Sequence, residues 1–117
     1  MNDLNLDAFN YNELLDRFMG EKDVVDDVIR VFISKIDKQF EVIEENINTL
    51  DIDKVRFEAH NIKGGALNLS ANLFGQEAKN LEEACKKNRK DKLGAIFSEL
   101  KMQFENFKKE LIKNNIL

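Results

Sequence analysis

His60 is the only histidine in the chain, and it stands in the run Ala59-His60-Asn61-Ile62-Lys63-Gly64-Gly65-Ala66-Leu67. On a helix, residues three and four positions apart share a face, so Arg56, Phe57, His60, Lys63, Gly64 and Leu67 form one stripe. That stripe holds an imidazole, an ammonium one turn away and a bare backbone beside both. A neutral imidazole nitrogen can attack phosphorus in line, and Lys63 can neutralise charge on the phosphoryl oxygens. Gly64 removes the side chain that would stand between His60 and an incoming donor. Each glycine costs roughly 1 kcal/mol relative to Ala inside a helix, so two in succession need a reason. Close approach of another molecule to His60 supplies one.

Other chemistries lack their parts. A histidine-based zinc site needs three or four ligands, and no second histidine or paired cysteine is present, so no metal site is expected. Nucleophilic triads and the phosphate-cradling Gly-x-x-x-x-Gly-Lys-Ser/Thr loop are absent. Gly64-Gly65 follows a helical turn and not a strand, which excludes a dinucleotide loop. A hydrolase using His60 as general base would need an acid, an oxyanion donor and a cleft, and none is found at helical spacing with it.

The elements that must position His60 are helices. With 117 residues, no proline and 43% hydrophobic residues, the chain fits one helical domain with a sizeable core. Residues 1–9 read as a leader, with Leu4, Leu6 and Phe9 available to pack down. Tyr11 to Met19 form a short helix capped by Asn10 and ended by Gly20. From about Lys22 to Asn48 runs a long helix whose apolar row, Ile29, Ile33, Ile36, Phe40, Ile43, Ile47 and Leu50, alternates steps of four and three, broadened by Val25, Val28 and Phe32. Asp23, Asp26 and Asp27 lie in its opening turns, where they complement the helix dipole.

Asp51 caps a helix from about Ile52 to Leu69, with Val55, Ala59, Ile62 and Ala66 inward and His60 at the edge of the buried face. Ser70 then caps a helix over about Ala71 to Asn88, with Phe74, Ala78, Leu81 and Cys85 inward. So short a connection makes the two antiparallel neighbours and brings Leu81 and Glu82 alongside His60. A last helix, about Lys92 to Lys113, buries Leu93, Ile96, Phe97, Leu100, Phe104, Phe107 and Leu111. The expected fold is all-α: an up-and-down antiparallel four-helix bundle over residues 10–117 with a short N-terminal capping helix.

The segment Ala59-His60-Asn61-Ile62-Lys63-Gly64, followed by Leu81-Glu82, resembles the signature of histidine-containing phosphotransfer (HPt) domains: Ala-His-x-Leu-Lys-Gly, then Leu-Glu at the same spacing on the next helix. Upstream, the order of short helix, Gly before an acidic start, long amphipathic helix and Asp-led turn is similar too, so the resemblance covers nearly the whole chain. Ile62 departs where Leu is usual, Gly65 where a small residue such as Ser is common, and Ser70 where glycine is usual. The resemblance implies a phosphorelay intermediate, without an ATP or kinase site, that accepts a phosphoryl group at Nε2 of His60 from an aspartyl phosphate of a receiver domain and passes it to another. It implies that magnesium belongs to the receiver, so the chain needs no cofactor of its own. By position, Glu82 either orients the imidazole or is a solvent-exposed carboxylate paired with a nearby lysine.

The partners implied are response-regulator receiver domains or a hybrid histidine kinase. Their docking surface is expected around His60, from Arg56, Phe57, Lys63 and Leu67 with Phe18 of the short helix; for Phe57 and Leu67 the alternative is ordinary packing. The cations of Lys86-Lys87-Asn88-Arg89-Lys90-Asp91-Lys92 solvate a turn and a helix end in the simpler reading and steer an acidic partner in the other. A net charge of -4 argues against nucleic acid and anionic membranes as partners. No apolar run approaches a membrane span and the first residues are no secretory signal, so a cytoplasmic monomer is expected. A lone cysteine suits a reducing compartment. The rival from another class is a helical docking adaptor in which His60 is never phosphorylated.

Overall fold

Asn10 begins the first helix as its residue type predicts: its side-chain oxygen accepts from the Glu13 backbone N–H at 3.0 Å. In the computed structural model, which describes residues 7–117, all regular structure is helical. Helix α1 spans Tyr11–Arg17, α2 Lys22–Asn48, α3 Ile52–Asn68, α4 Asn72–Lys86 and α5 Leu93–Lys113, the last preceded by a single 3-10 turn over Lys90–Lys92. Helix α3 packs most extensively on α4, α4 on α5, and α2 on α3. Leu4 and Leu6 of the expected leader lie outside the described residues, whereas Phe9 at its end is buried against Phe107 at a ring-centroid distance of 5.3 Å. The leader is also tied in through its backbone, since Asp7 O accepts from Leu73 N at 3.0 Å.

The core is the one the apolar periodicity predicts, with a correction on α2. Ile29, Ile36 and Ile43 are fully buried, Ile33, Phe40 and Ile47 partly so, but Leu50 and Val28 are exposed. Leu50 lies beyond the end of α2 and Val28 lies on a neighbouring face. At the centre Phe74 and Phe107 are fully buried; Phe32 meets both edge to face, and Phe40 meets Phe74 and Phe104 in the same way, the geometry that aromatic quadrupoles favour. Asp26, in the opening turns of α2, is buried, accepting from Tyr11 OH at 3.0 Å and pairing with Lys22.

All five helices end in the same way. Met19, Leu50, Ser70, Asn88 and Asn115 each take the left-handed conformation, with φ between 56° and 60°. Each donates its N–H three residues back, and the residue after it donates five residues back, as Ser70 to Leu67 and Ala71 to Ala66. This is the Schellman closure, which satisfies carbonyls that the helix end would orphan. The first helix therefore stops at Arg17 rather than Met19, because the reversal begins at Met19 and continues through Gly20.

Ser70 is a correction of the same kind. It does not cap α4, whose N-cap is Ala71 with no side-chain hydrogen bond; it occupies the left-handed position that closes α3. A glycine would adopt that φ without penalty. Ser70 is held there from α1: its hydroxyl donates to Glu13 at 2.7 Å and accepts from Arg17, which also reaches Asn68 O at 3.0 Å. Helix α1 thus locks the α3–α4 turn that sets the register at His60.

Candidate functional site

His60 and Glu82 meet because the connection at residues 69–71 is as short as a helix hairpin allows. Ten residues lead from His60 to Ser70 and twelve from Ser70 to Glu82, so both return to about the same level of the antiparallel pair. Across it, His60 Nδ1 lies 2.8 Å from Glu82 Oε2, and Lys63 Nζ donates to Glu82 Oε1 at 2.6 Å. An ionised carboxylate can only accept, so Nδ1 carries the hydrogen, and in the neutral imidazole Nε2 holds the lone pair. No hydrogen bond engages Nε2 among the described residues, and the imidazole side chain is 61% exposed.

Glu82 is the buried member of the set, at 4% exposure, which excludes the reading as a solvent-exposed carboxylate. Burial by itself pushes its carboxyl up, but the hydrogen bonds from Lys63 and His60 outweigh it and hold the group below the ordinary 4.5. A buried charge persists only when paired in this manner. The arrangement fixes the imidazole in one tautomer and one orientation, with an ammonium one turn further along α3.

The two glycines serve different surfaces. A methyl group at Gly64 would meet nothing within 4 Å, so the backbone there is open to an approaching molecule. A methyl group at Gly65 would lie 2.6 Å from the Phe32 ring, so Gly65 is there to let α2 pack. Close approach to His60 therefore accounts for Gly64 alone and not for the pair.

Of the other predicted residues, Arg56 and Phe57 share with His60 a cleft of about 410 Å³, completed by Asp53, Glu82 and Lys86. Phe57 is 63% exposed, which excludes ordinary packing for most of its ring. Leu67 is partly exposed and rests on α4 where Gly75 leaves room for it. Phe18 is half-buried against the core, and its neighbour Met19, at 91% exposure, is the more outward of the two.

Sequence reasoning took Lys86 only as one cation of a basic turn and missed its place 3.9 Å from Glu82 Oε2, because a lysine four residues after a glutamate is ordinary on any helix. It also missed Val24, Val28 and Val31, exposed on α2 beside a shallow dent of about 250 Å³ formed by Val28, Val31, Phe32, Lys35, Gly65, Asn68 and Leu69. The signal was legible: a second row at steps of four and three makes the apolar face of α2 wider than a core requires.

Among the described residues no three histidine, cysteine, aspartate or glutamate side chains cluster as a metal site, and no helix is long and apolar enough to cross a membrane. No curated protein and no solved structure matches the chain. A family model does: Hpt domain, over residues 27–110, which is more than half of the chain and includes His60, Lys63, Gly64 and Glu82. With that match over an all-helical structure, the chain belongs to the Hpt domain family, the phosphotransfer modules of two-component signalling.

Proposed function

We propose that the chain is a phosphorelay intermediate in which Nε2 of His60 accepts a phosphoryl group from the aspartyl phosphate of one receiver domain and returns it to the aspartate of another. The observation that carries this is the bond from His60 Nδ1 to buried Glu82, which supports a single tautomer with its lone pair on the outward nitrogen. As the P–N bond forms, the P–O bond to the receiver's aspartate breaks and that carboxylate leaves with the electron pair. Nδ1 keeps its hydrogen, so the ring becomes a cation, and Glu82 offsets the new positive charge. Lys63 is placed to meet the phosphoryl oxygens, and Gly64 leaves room for the receiver's loops.

The receiver brings the magnesium ion and the acidic pocket; this chain works as a carrier with no cofactor and no ATP site of its own. The docking face includes Phe57, Arg56 and Leu67 around His60, with Met19, Val28 and Val31 extending it onto the turn after α1 and onto α2. Such contacts are small and transient in signalling. The reading includes an up-and-down four-helix bundle of α2 to α5 capped by α1 over residues 10–117, acting as a monomer in the cytoplasm. The three-residue connection between α3 and α4 supports the alternation.

The test is transfer of labelled phosphate from phosphorylated receiver domains to the wild type and to His60→Gln. Acid-labile, alkali-stable label on the wild type alone is expected. A wild type that takes no label from any receiver of its own cell removes the relay reading and leaves the docking adaptor.

A further inference from the structure

Glu82 has three cationic or hydrogen-donating neighbours and only two of them in hydrogen-bonding contact. Lys63 holds Oε1 at 2.6 Å and His60 holds Oε2 at 2.8 Å, whereas Lys86 Nζ stands 3.9 Å from Oε2 and 3.7 Å from Glu83 Oε1. Lys86 is within ion-pair range of both carboxylates and hydrogen-bonded to neither. It sits in the last turn of α4, where a cation is already favoured, and lines the cleft that His60 opens into.

Phosphorylation places a demand on this set that the resting site does not meet. A phosphoryl group brings a charge of roughly -1.5 to -2 and three acceptor oxygens to the outer edge of the imidazole. Lys63 is the ammonium one turn from that edge, and it is committed to Glu82. If it turns to the phosphoryl oxygens, buried Glu82 keeps the Nδ1–H of the now cationic ring at Oε2 but loses its donor at Oε1, and a buried acceptor left without its donor is unfavourable.

We infer that Lys86 is a reserve counter-charge: when Lys63 moves to the phosphoryl group, Lys86 closes on Glu82 and replaces it. This deepens the phosphotransfer reading and rests on it. Lys86 acts through Glu82 and Lys63, and is thus a positioning residue. It stabilises the phosphorylated state more than the resting one, and so sets how the phosphoryl group divides between receiver and His60. Helix α4 contributes one more requirement to the site, a cation four residues beyond Glu82, that neither core packing nor the phosphoacceptor itself demands.

The experiment measures the equilibrium ratio of phosphohistidine to receiver aspartyl phosphate for wild type, Lys86→Gln, Lys86→Arg and Lys63→Gln, and for the double variant Lys63→Gln/Lys86→Gln. Phosphoramidate, a small-molecule phosphoryl donor, serves in a parallel arm without any receiver. Lys86→Gln is expected to lower the ratio by roughly three- to fivefold, the range of one partly exposed charge pair. Lys86→Arg restores it, and Lys86→Gln has no further effect once Lys63 is gone, because nothing is left to replace; such coupling is what a double-mutant cycle isolates. Parity of Lys86→Gln with a labelled wild type, failure of arginine to rescue, or simple additivity with Lys63→Gln overturns the inference and leaves phosphotransfer intact. A wild type unlabelled in both arms overturns phosphotransfer and this inference together.

Discussion

Gly64 and Gly65 are neighbours in the chain, yet one faces open space and the other faces the Phe32 ring, 2.6 Å from where a methyl group would be. The pair separates recognition from stability. Gly64→Ala should stabilise the fold by about 0.5–1 kcal/mol through helix propensity while slowing transfer from a receiver. Gly65→Ala should lower stability by about 1–2 kcal/mol through overpacking and leave phosphoramidate labelling intact. Thermal melts beside transfer rates decide it; two variants moving together in both measurements would contradict the division.

Glu82 makes stability depend on pH in a stated direction. Its folded carboxyl titrates below the ordinary 4.5, so the fold favours the ionised form. That contribution is complete above about pH 4.5 and is lost as the pH falls through the depressed folded value. Glu82→Gln should cost about 1–3 kcal/mol at neutral pH, with the gap to wild type closing in acid. Denaturant melts from pH 7 to pH 3 measure this, and a gap that widens in acid would contradict it.

The exposed valines of α2 are expected to matter to receivers alone. Val31→Asp adds a charge to an already exposed position, so stability should change by no more than about 0.5 kcal/mol. Transfer from a receiver should slow about tenfold or more, on the scale of a lost apolar anchor. Labelling by phosphoramidate, which needs no docking, should be unchanged.

Leu50 and Ser70 take the same left-handed conformation with different support. Leu50 is exposed, so Leu50→Gly should gain about 0.5–1 kcal/mol by relieving the strain of a side chain at positive φ. Ser70→Gly relieves the same strain but removes the hydroxyl that joins Glu13 and Arg17, so its net gain should be smaller. Chemical denaturation of the two variants compares them directly.

Cys85 is buried, and burial pushes its thiol up to about 11. Reaction with iodoacetamide near neutral pH should be slow in the folded protein and become fast in denaturant, since only the thiolate attacks.

Much of this was legible from the spacing of residues. Asn10 and Asp51 cap α1 and α3 as their types predict, and Ile29, Ile36 and Ile43 mark the buried row of α2 by period alone. Glu82 could be placed beside His60 by counting from the turn, because two antiparallel helices with three residues between them have little freedom. What spacing could not convey was the conformation of single residues. A serine reads as an N-cap by propensity, whereas Ser70 takes the left-handed position that closes α3, with its hydroxyl tied to Glu13 and Arg17 more than fifty positions away in the chain. The depth of Glu82 was hidden for a related reason: a carboxylate is assigned to the surface until the partners that satisfy it are known.

The closure at residues 69–71 bears on how this chain can change over evolutionary time. His60 and Glu82 are 22 positions apart, and one residue gained or lost between His60 and Ser70 would turn the imidazole about 100° around α3, away from its carboxylate. Lengthening the segments at 49–51 or 87–92 would alter neither partner. Among descendants of a common ancestor, insertions and deletions should collect at those outer turns and be absent from 60 to 82, even where the residues in between have been freely exchanged.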